Sequence, residues 1–215
     1  MSATADPWSE LFEKLLAEHA GADAAHDPGH IRRVVANARQ LAAAEGADER
    51  VVMAAAWLHD CVVVPKSSPD RKLASRLAAR RAVEWLEAHD WPYGRLDDVA
   101  HAIEAHSFSA GIAPQTLEAQ VVQDADRLDA LGAVGLARTL MLGGEMRREF
   151  YDRDDPFCES RPPDDGRFTL DHLFSKLLTL EGTMQTASGK IEARRRTGFL
   201  RDFLDQLRRE IGLSA

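Results

Sequence analysis

Apolar residues recur along almost the whole chain at the three-and-four spacing of an α-helix, and no long alternation of β-branched residues competes with it. Trp8, Leu11, Phe12, Leu15 and Leu16 mark a first amphipathic helix. Asp27-Pro28 reads as an N-cap followed by proline at the first helical position. The helix it opens carries Ile31, Val34, Val35, Ala38, Leu41 and Ala42 on one face and is ended by Gly46. The next, from about Asp48, is apolar on most sides over residues 51–58, as expected of a central buried helix, and runs into His59-Asp60. Ser67-Ser68-Pro69-Asp70 repeats the cap-and-proline signal ahead of an Ala/Arg-rich helix reaching about His89.

Residues 96–105 form another helix and 118–142 one or two more, with Gly143-Gly144 breaking the pattern. Residues 152–167, with Pro156, Pro162, Pro163 and six acidic side chains, read as a long surface loop. Two last helices are expected over about 170–178 and 187–213. With 215 residues, no internal repeat and no dividing linker, the pattern predicts one all-α domain.

Charge and composition narrow the function classes. Lys and Arg number 27 against 35 Asp and Glu, a net charge of −8, which argues against a broad nucleic-acid surface. No run approaches the roughly 20 apolar residues of a membrane helix, and residues 1–8 lack the basic and apolar regions of a secretory signal. Cys61 and Cys158 are too few for a disulfide framework or a Cys-rich zinc site. A cytoplasmic location is therefore expected, with neither membrane nor nucleic acid as partner. Nothing in the sequence marks an oligomeric interface.

Histidine and aspartate concentrate at His26-Asp27-Pro28-Gly29-His30, at His59-Asp60, and at Asp124-Ala125-Asp126-Arg127-Leu128-Asp129. A histidine and a carboxylate closing a buried helix are costly unless paired, hydrogen-bonded or coordinated. Imidazoles and carboxylates from separate helices form a usual site for a divalent ion of borderline-to-hard character. Lys66 and Arg71 lie just beyond the doublet and are candidates for balancing phosphate charge. Arg127 is another, or else an ion-pair partner of Asp124 or Asp129. His101 and His106 stand five residues apart, about 140° around a helix, so they do not share a face.

The order His30, His59-Asp60, Asp126 resembles the HD superfamily of metal-dependent phosphohydrolases, all-helical proteins named for their His-Asp doublet. Within it the chain is similar to small stand-alone bacterial proteins of the YedJ type. The likeness is carried by Ala25-His26-Asp27, His30 and Arg33-Val34, by Leu58-His59-Asp60, and by Ala105-His106-Ser107-Phe108-Ser109-Ala110. It continues through Val122-Gln123-Asp124-Ala125-Asp126-Arg127-Leu128 and Gly132-Ala133-Val134-Gly135-Leu136-Ala137-Arg138. Asp155-Pro156-Phe157, Arg161-Pro162, Lys176-Leu177-Leu178 and Met184-Gln185-Thr186-Ala187 extend it, so that it spans about residues 8–205.

The resemblance implies an HD helical bundle over about residues 25–140, followed by a C-terminal loop and helices over about 145–213. It implies one divalent ion held by His30, His59, Asp60 and one aspartate of the third cluster. Mn²⁺ is favoured, with Mg²⁺, Fe²⁺, Co²⁺ and Ni²⁺ as alternatives, because two carboxylates and waters suit a higher coordination number than tetrahedral zinc. The expected reaction is hydrolysis of a phosphate ester or anhydride of a small metabolite, a nucleotide by preference. Asp60, His106, Arg127 and Lys66 would be catalytic, and Lys66, Arg71, Arg127 and His106 would contact the substrate. The rival expectation is a non-catalytic module sensing a nucleotide or metal.

Asp124 and Asp126 point about 200° apart on a regular helix, so one ion does not draw on both unless the helix starts between them. Asp124 shares its face with Leu128, Leu131 and Gly135, and Asp126 with Ala130, Ala133 and Ala137; periodicity leaves both open. In the family the ligand stands directly before a Lys or Arg and an apolar residue. Asp126-Arg127-Leu128 fits that register, which makes Asp126 the expected ligand and Asp124 a partner to a ligand histidine or to Arg127.

Overall fold

The computed structural model describes residues 7–19, 28–62, 64, 73–107 and 110–213. Among these residues it has nine α-helices: α1 (Pro7–His19), α2 (Pro28–Glu45), α3 (Glu49–Leu58), α4 (Ala74–Ala88), α5 (Leu96–His106), α6 (Leu117–Asp129), α7 (Gly132–Glu145), α8 (Asp171–Ser175) and α9 (Ala187–Glu210). A 3₁₀ helix spans Leu177–Thr183. The described residues hold no strand, only an isolated bridge between Glu149 and Phe168, so the fold is all-α. Among the described residues no helix is long and apolar enough to cross a membrane. Asp27 and the Ser67-to-Asp70 cap signal lie outside the described residues.

The chain forms two compact units, Met1–Asp126 and Arg127–Ala215, with the boundary inside α6. In the first, α3 packs against α2, α4 and α5, and α4 against α5. Val51, Val52, Met53, Ala54, Ala55, Ala56 and Leu58 are all buried, which is why α3 reads as apolar on most sides. Its start is fixed by Asp48, whose carboxylate accepts the Arg50 N–H at 3.0 Å. Gly46 takes φ +74° and donates its N–H to Ala42 O at 2.9 Å, ending α2 at the left-handed position that favours glycine.

Arg95 ties the starts of three helices together. Its Nη1 reaches Asp48 at 3.0 Å and Glu118 at 3.3 Å, and its Nε reaches Asp98 at 2.8 Å. Trp8 and Phe12 of α1 pack on Trp57, Trp85 and Trp91, with Trp8 and Trp91 ring centres 4.6 Å apart. These tryptophans are packing residues.

In the second unit α7 packs on α9, and the 3₁₀ helix on α8 and α9. Gly143-Gly144 does not end α7, which continues to Glu145. A Cβ at Gly143 would stand 2.2 Å from Thr169 Oγ1, so this glycine admits a neighbour rather than breaking the helix. The acidic loop is tightly bonded. Asp155 accepts the N–H groups of Glu159, Ser160 and Arg161 and the Ser160 hydroxyl, and these bonds hold its carboxyl down to about 2. Arg161 forms a two-pronged ion pair, at 2.5 and 3.0 Å, with the completely buried Asp171.

Candidate metal centre

His59 follows the last residue of α3 and is completely buried. Its Nδ1 lies 2.8 Å from Ala56 O, one of the carbonyls left over at the helix end. A carbonyl only accepts, so Nδ1 carries the proton and Nε2 turns a lone pair outward. Loss of solvation is the main effect holding the imidazole below its usual pKa, opposed by the charges of Asp60 and Asp126. His59 is thus a neutral imidazole with a fixed tautomer, the form a metal ligand requires.

His106 is built the same way at the end of α5. Its Nδ1 lies 2.6 Å from Ile103 O, and its ring meets that of His59 edge-on at 4.9 Å. His30, in the first turn of α2, brings Nε2 to 3.4 Å from His59 Nε2. Asp126, near the end of α6, brings Oδ1 to 3.4 Å from His30 Nε2 and 4.0 Å from His59 Nε2. Asp60 faces both ways. Its Oδ2 lies 4.0 Å from His30 and 3.7 Å from His59, while its Oδ1 lies 3.7 Å from His106 Nε2.

Most of these separations exceed a hydrogen bond, for which about 3.2 Å is the upper range. They suit a shared cation better. Donors roughly 2.1 Å from an octahedral ion stand about 3.0 Å apart when adjacent and about 4.2 Å apart when opposite. His30, His59 and Asp60 offer donor atoms all within 4.8 Å of one another. The donor set, imidazole nitrogen with carboxylate oxygen, fits a divalent ion of intermediate hardness. Cys61, next in sequence, turns its thiol to Ala78 O at 3.4 Å, and burial, with Asp60 beside it, pushes that thiol up to about 12.

The other expected residues are outside this donor set or outside the described residues. Asp124 is completely buried, about 200° around α6 from Asp126. Arg127 donates Nη1 to Thr183 O at 2.7 Å, while Asp129 pairs with Arg138. His101 accepts the Gln115 N–H at 2.9 Å, a bond that fixes the following loop. Lys66, Arg71 and His26 lie outside the described residues.

Two contacts, one buried and one half-buried, have no counterpart in the sequence reading. Gln123 Nε2 donates to Ala105 O at 2.6 Å, and Asn37 Nδ2 donates to Ala125 O at 3.2 Å. A single amide at a helical position carries no chemical signature of its own; the faint signal was polarity one turn from an expected ligand.

Comparison with known proteins identifies relatives of this chain. The HD domain family matches residues 29–131, a span holding every member of the cluster. The uncharacterised Bacillus subtilis (strain 168) protein YpgQ is 33% identical over 190 residues, covering 86% of this chain and 84% of YpgQ. A crystal structure of an HD-superfamily hydrolase from Bacillus thuringiensis matches with a TM-score of 0.73 at 33% identity, over 96% of this chain and 99% of that one. Bacillus subtilis YpgQ, crystallised in complex with ADP, matches with a TM-score of 0.70 at 30% identity, over 96% of this chain and 98% of its own. With the ordered histidines and aspartates, the helical fold and these relatives in agreement, the chain belongs to the HD-domain superfamily.

Proposed function

We propose that the protein is a divalent-metal-dependent phosphohydrolase that cleaves a phosphate ester or anhydride of a small metabolite, with a nucleotide as substrate. The observation that carries this reading is the cluster of His30, His59 and Asp60, with donor atoms within 4.8 Å of one another, and Asp126 Oδ1 3.4 Å from His30 Nε2 beside it. These four residues would hold one ion, Mn²⁺ by preference over zinc for the reason of coordination number. Bound there, the ion would supply Lewis acidity toward a phosphoryl oxygen and a water of lowered pKa.

The chain's own groups do the rest. The Ala56 and Ile103 carbonyls take up the Nδ1 side of His59 and His106, so that in the neutral imidazole of each the Nε2 atom is the acceptor. Asp60 presents one oxygen to the ligand histidines and the other to His106. His106 Nε2 is thereby placed to take a proton beside the reacting phosphate and return it to the leaving oxygen. Lys66, Arg71 and Arg127 are assigned to the phosphate charge. ADP bound to the related YpgQ supports a nucleotide as the ligand class. Both cysteines are free thiols, which fits a reducing cytoplasm as the setting.

The test is release of phosphate or pyrophosphate from nucleoside tri-, di- and monophosphates and cyclic nucleotides, with Mn²⁺ added. Release that disappears with a chelator and in Asp60→Ala is expected. No release above the Asp60→Ala background on any of these substrates would favour a module that binds nucleotide without turning it over.

A further inference from the structure

Helix α5 ends at His106 without a glycine cap; Ser107 continues in extended backbone, at φ −68° and ψ 122°. The last four carbonyls of a helix lack partners within it. Here side chains serve two of them. Ile103 O takes the Nδ1 proton of His106, and Ala105 O takes the side-chain amide of Gln123 at 2.6 Å. Gln123 is 2% exposed and sits on α6 one turn before Asp126. From the other side, Asn37 donates to Ala125 O. Asn37 lies seven residues after His30 on α2, almost two full turns, and so on the same face.

Helix α6 is therefore bonded on two sides, at or beside the residues that present His106 and Asp126. The apolar residues it buries in this unit are short: Ala119, Val121, Val122 and Ala125 are all completely buried. Small side chains interdigitate shallowly, so they resist sliding and rotation of one helix on another less than directional bonds do. We propose that Gln123 and Asn37 are positioning residues that fix the height and rotation of α6 against α5 and α2, and with them the separation of Asp126 and His106 from His30. The proposal rests on the metal-centre reading above. Each amide acts through a backbone carbonyl beside a ligand-bearing turn.

The test compares Gln123→Met and Asn37→Leu with Val122→Ala, a control that loosens packing on α6 without removing a polar bond. Mn²⁺ affinity and the electron paramagnetic resonance spectrum of bound Mn²⁺ are measured on each full-length folded protein, beside its melting temperature without metal. Each amide variant is expected to bind Mn²⁺ on the order of tenfold more weakly and to show a changed spectrum. Val122→Ala should melt lower yet keep the wild-type affinity and spectrum. Should Gln123→Met not fold, Asn37→Leu decides by the same comparison. Wild-type affinity and spectrum in the amide variants would overturn the proposal while leaving the metal centre standing. Failure of the wild-type protein to bind Mn²⁺ would overturn both.

Discussion

At the scale of single residues, His59 concentrates the chemistry. It is wholly buried and its proton is committed to Ala56 O, so accepting a second proton means charging an imidazole out of reach of water. Its pKa is lowered for that reason first, whereas in the unfolded chain it takes a proton near the ordinary value of about 6.5. Between the two values the unfolded state binds more protons, so this residue makes the folded protein less stable as pH falls. The same proton competes with a metal for Nε2. Mn²⁺ affinity is accordingly expected to fall between about pH 7.5 and about pH 5.5. In His59→Ala it should fall more than about a hundredfold at either pH, beyond the loss typical of an outer partner. Titration calorimetry at the two pH values reads both effects. Unchanged affinity in His59→Ala would remove the doublet from the ligand set.

At the scale of elements, the two glycines of α7 make opposite predictions although they are neighbours. A Cβ at Gly143 would run into Thr169 Oγ1 and Cγ2 at 2.2 and 2.4 Å, whereas at Gly144 nothing lies within 4 Å. Gly143→Ala should therefore destabilise by about 1–3 kcal/mol through overpacking. Gly144→Ala should stabilise by about 0.5–1 kcal/mol, the helix-interior preference for alanine. Chemical denaturation of the two variants decides; equal effects would mean that Thr169 does not sit where the structure has it. Periodicity reads Gly143-Gly144 as a break because it registers which residues are apolar, not which neighbour comes close. For the same reason α3, α5 and α6 were legible, each carrying enough apolar residues to fix a period. His59-Asp60 was legible by contrast with the apolar run before it. The meeting of Asp126 with His30 was not, since it depends on how α2 and α6 approach each other. The acidic loop of residues 152–167 was legible as a loop, but not the capture of Arg161 by Asp171 ten residues further on.

At the scale of the whole molecule, the ligand cluster and the ion-paired loop belong to different units. His30, His59, Asp60, His106 and Asp126 all lie in Met1–Asp126, while Asp155, Arg161 and Asp171 lie in Arg127–Ala215. The family match ends at residue 131, yet the likeness to YpgQ and to the Bacillus thuringiensis hydrolase extends over most of the chain. The second unit is thus a shared part of these small proteins and not an appendage of this one. On the proposed ligand set, metal binding would couple to folding of the first unit, because four donors from three chain segments come together only when α2, α3 and α6 are in place. An ion that binds the folded chain alone stabilises it by RT ln(1 + [L]/Kd), about 2.7 kcal/mol at a free concentration of roughly 100 Kd. For a chain of this size each kcal/mol is worth roughly 2–4 °C. Saturating Mn²⁺ is therefore expected to raise the melting temperature by roughly 5–10 °C, a rise that a chelator reverses and that His59→Ala lacks. Mg²⁺ should give a smaller rise, since it sheds its waters reluctantly and takes few imidazoles. An equal rise in His59→Ala would place the stabilising ion elsewhere on the chain, and the proximity of these histidines and aspartates would lose its meaning as a metal centre.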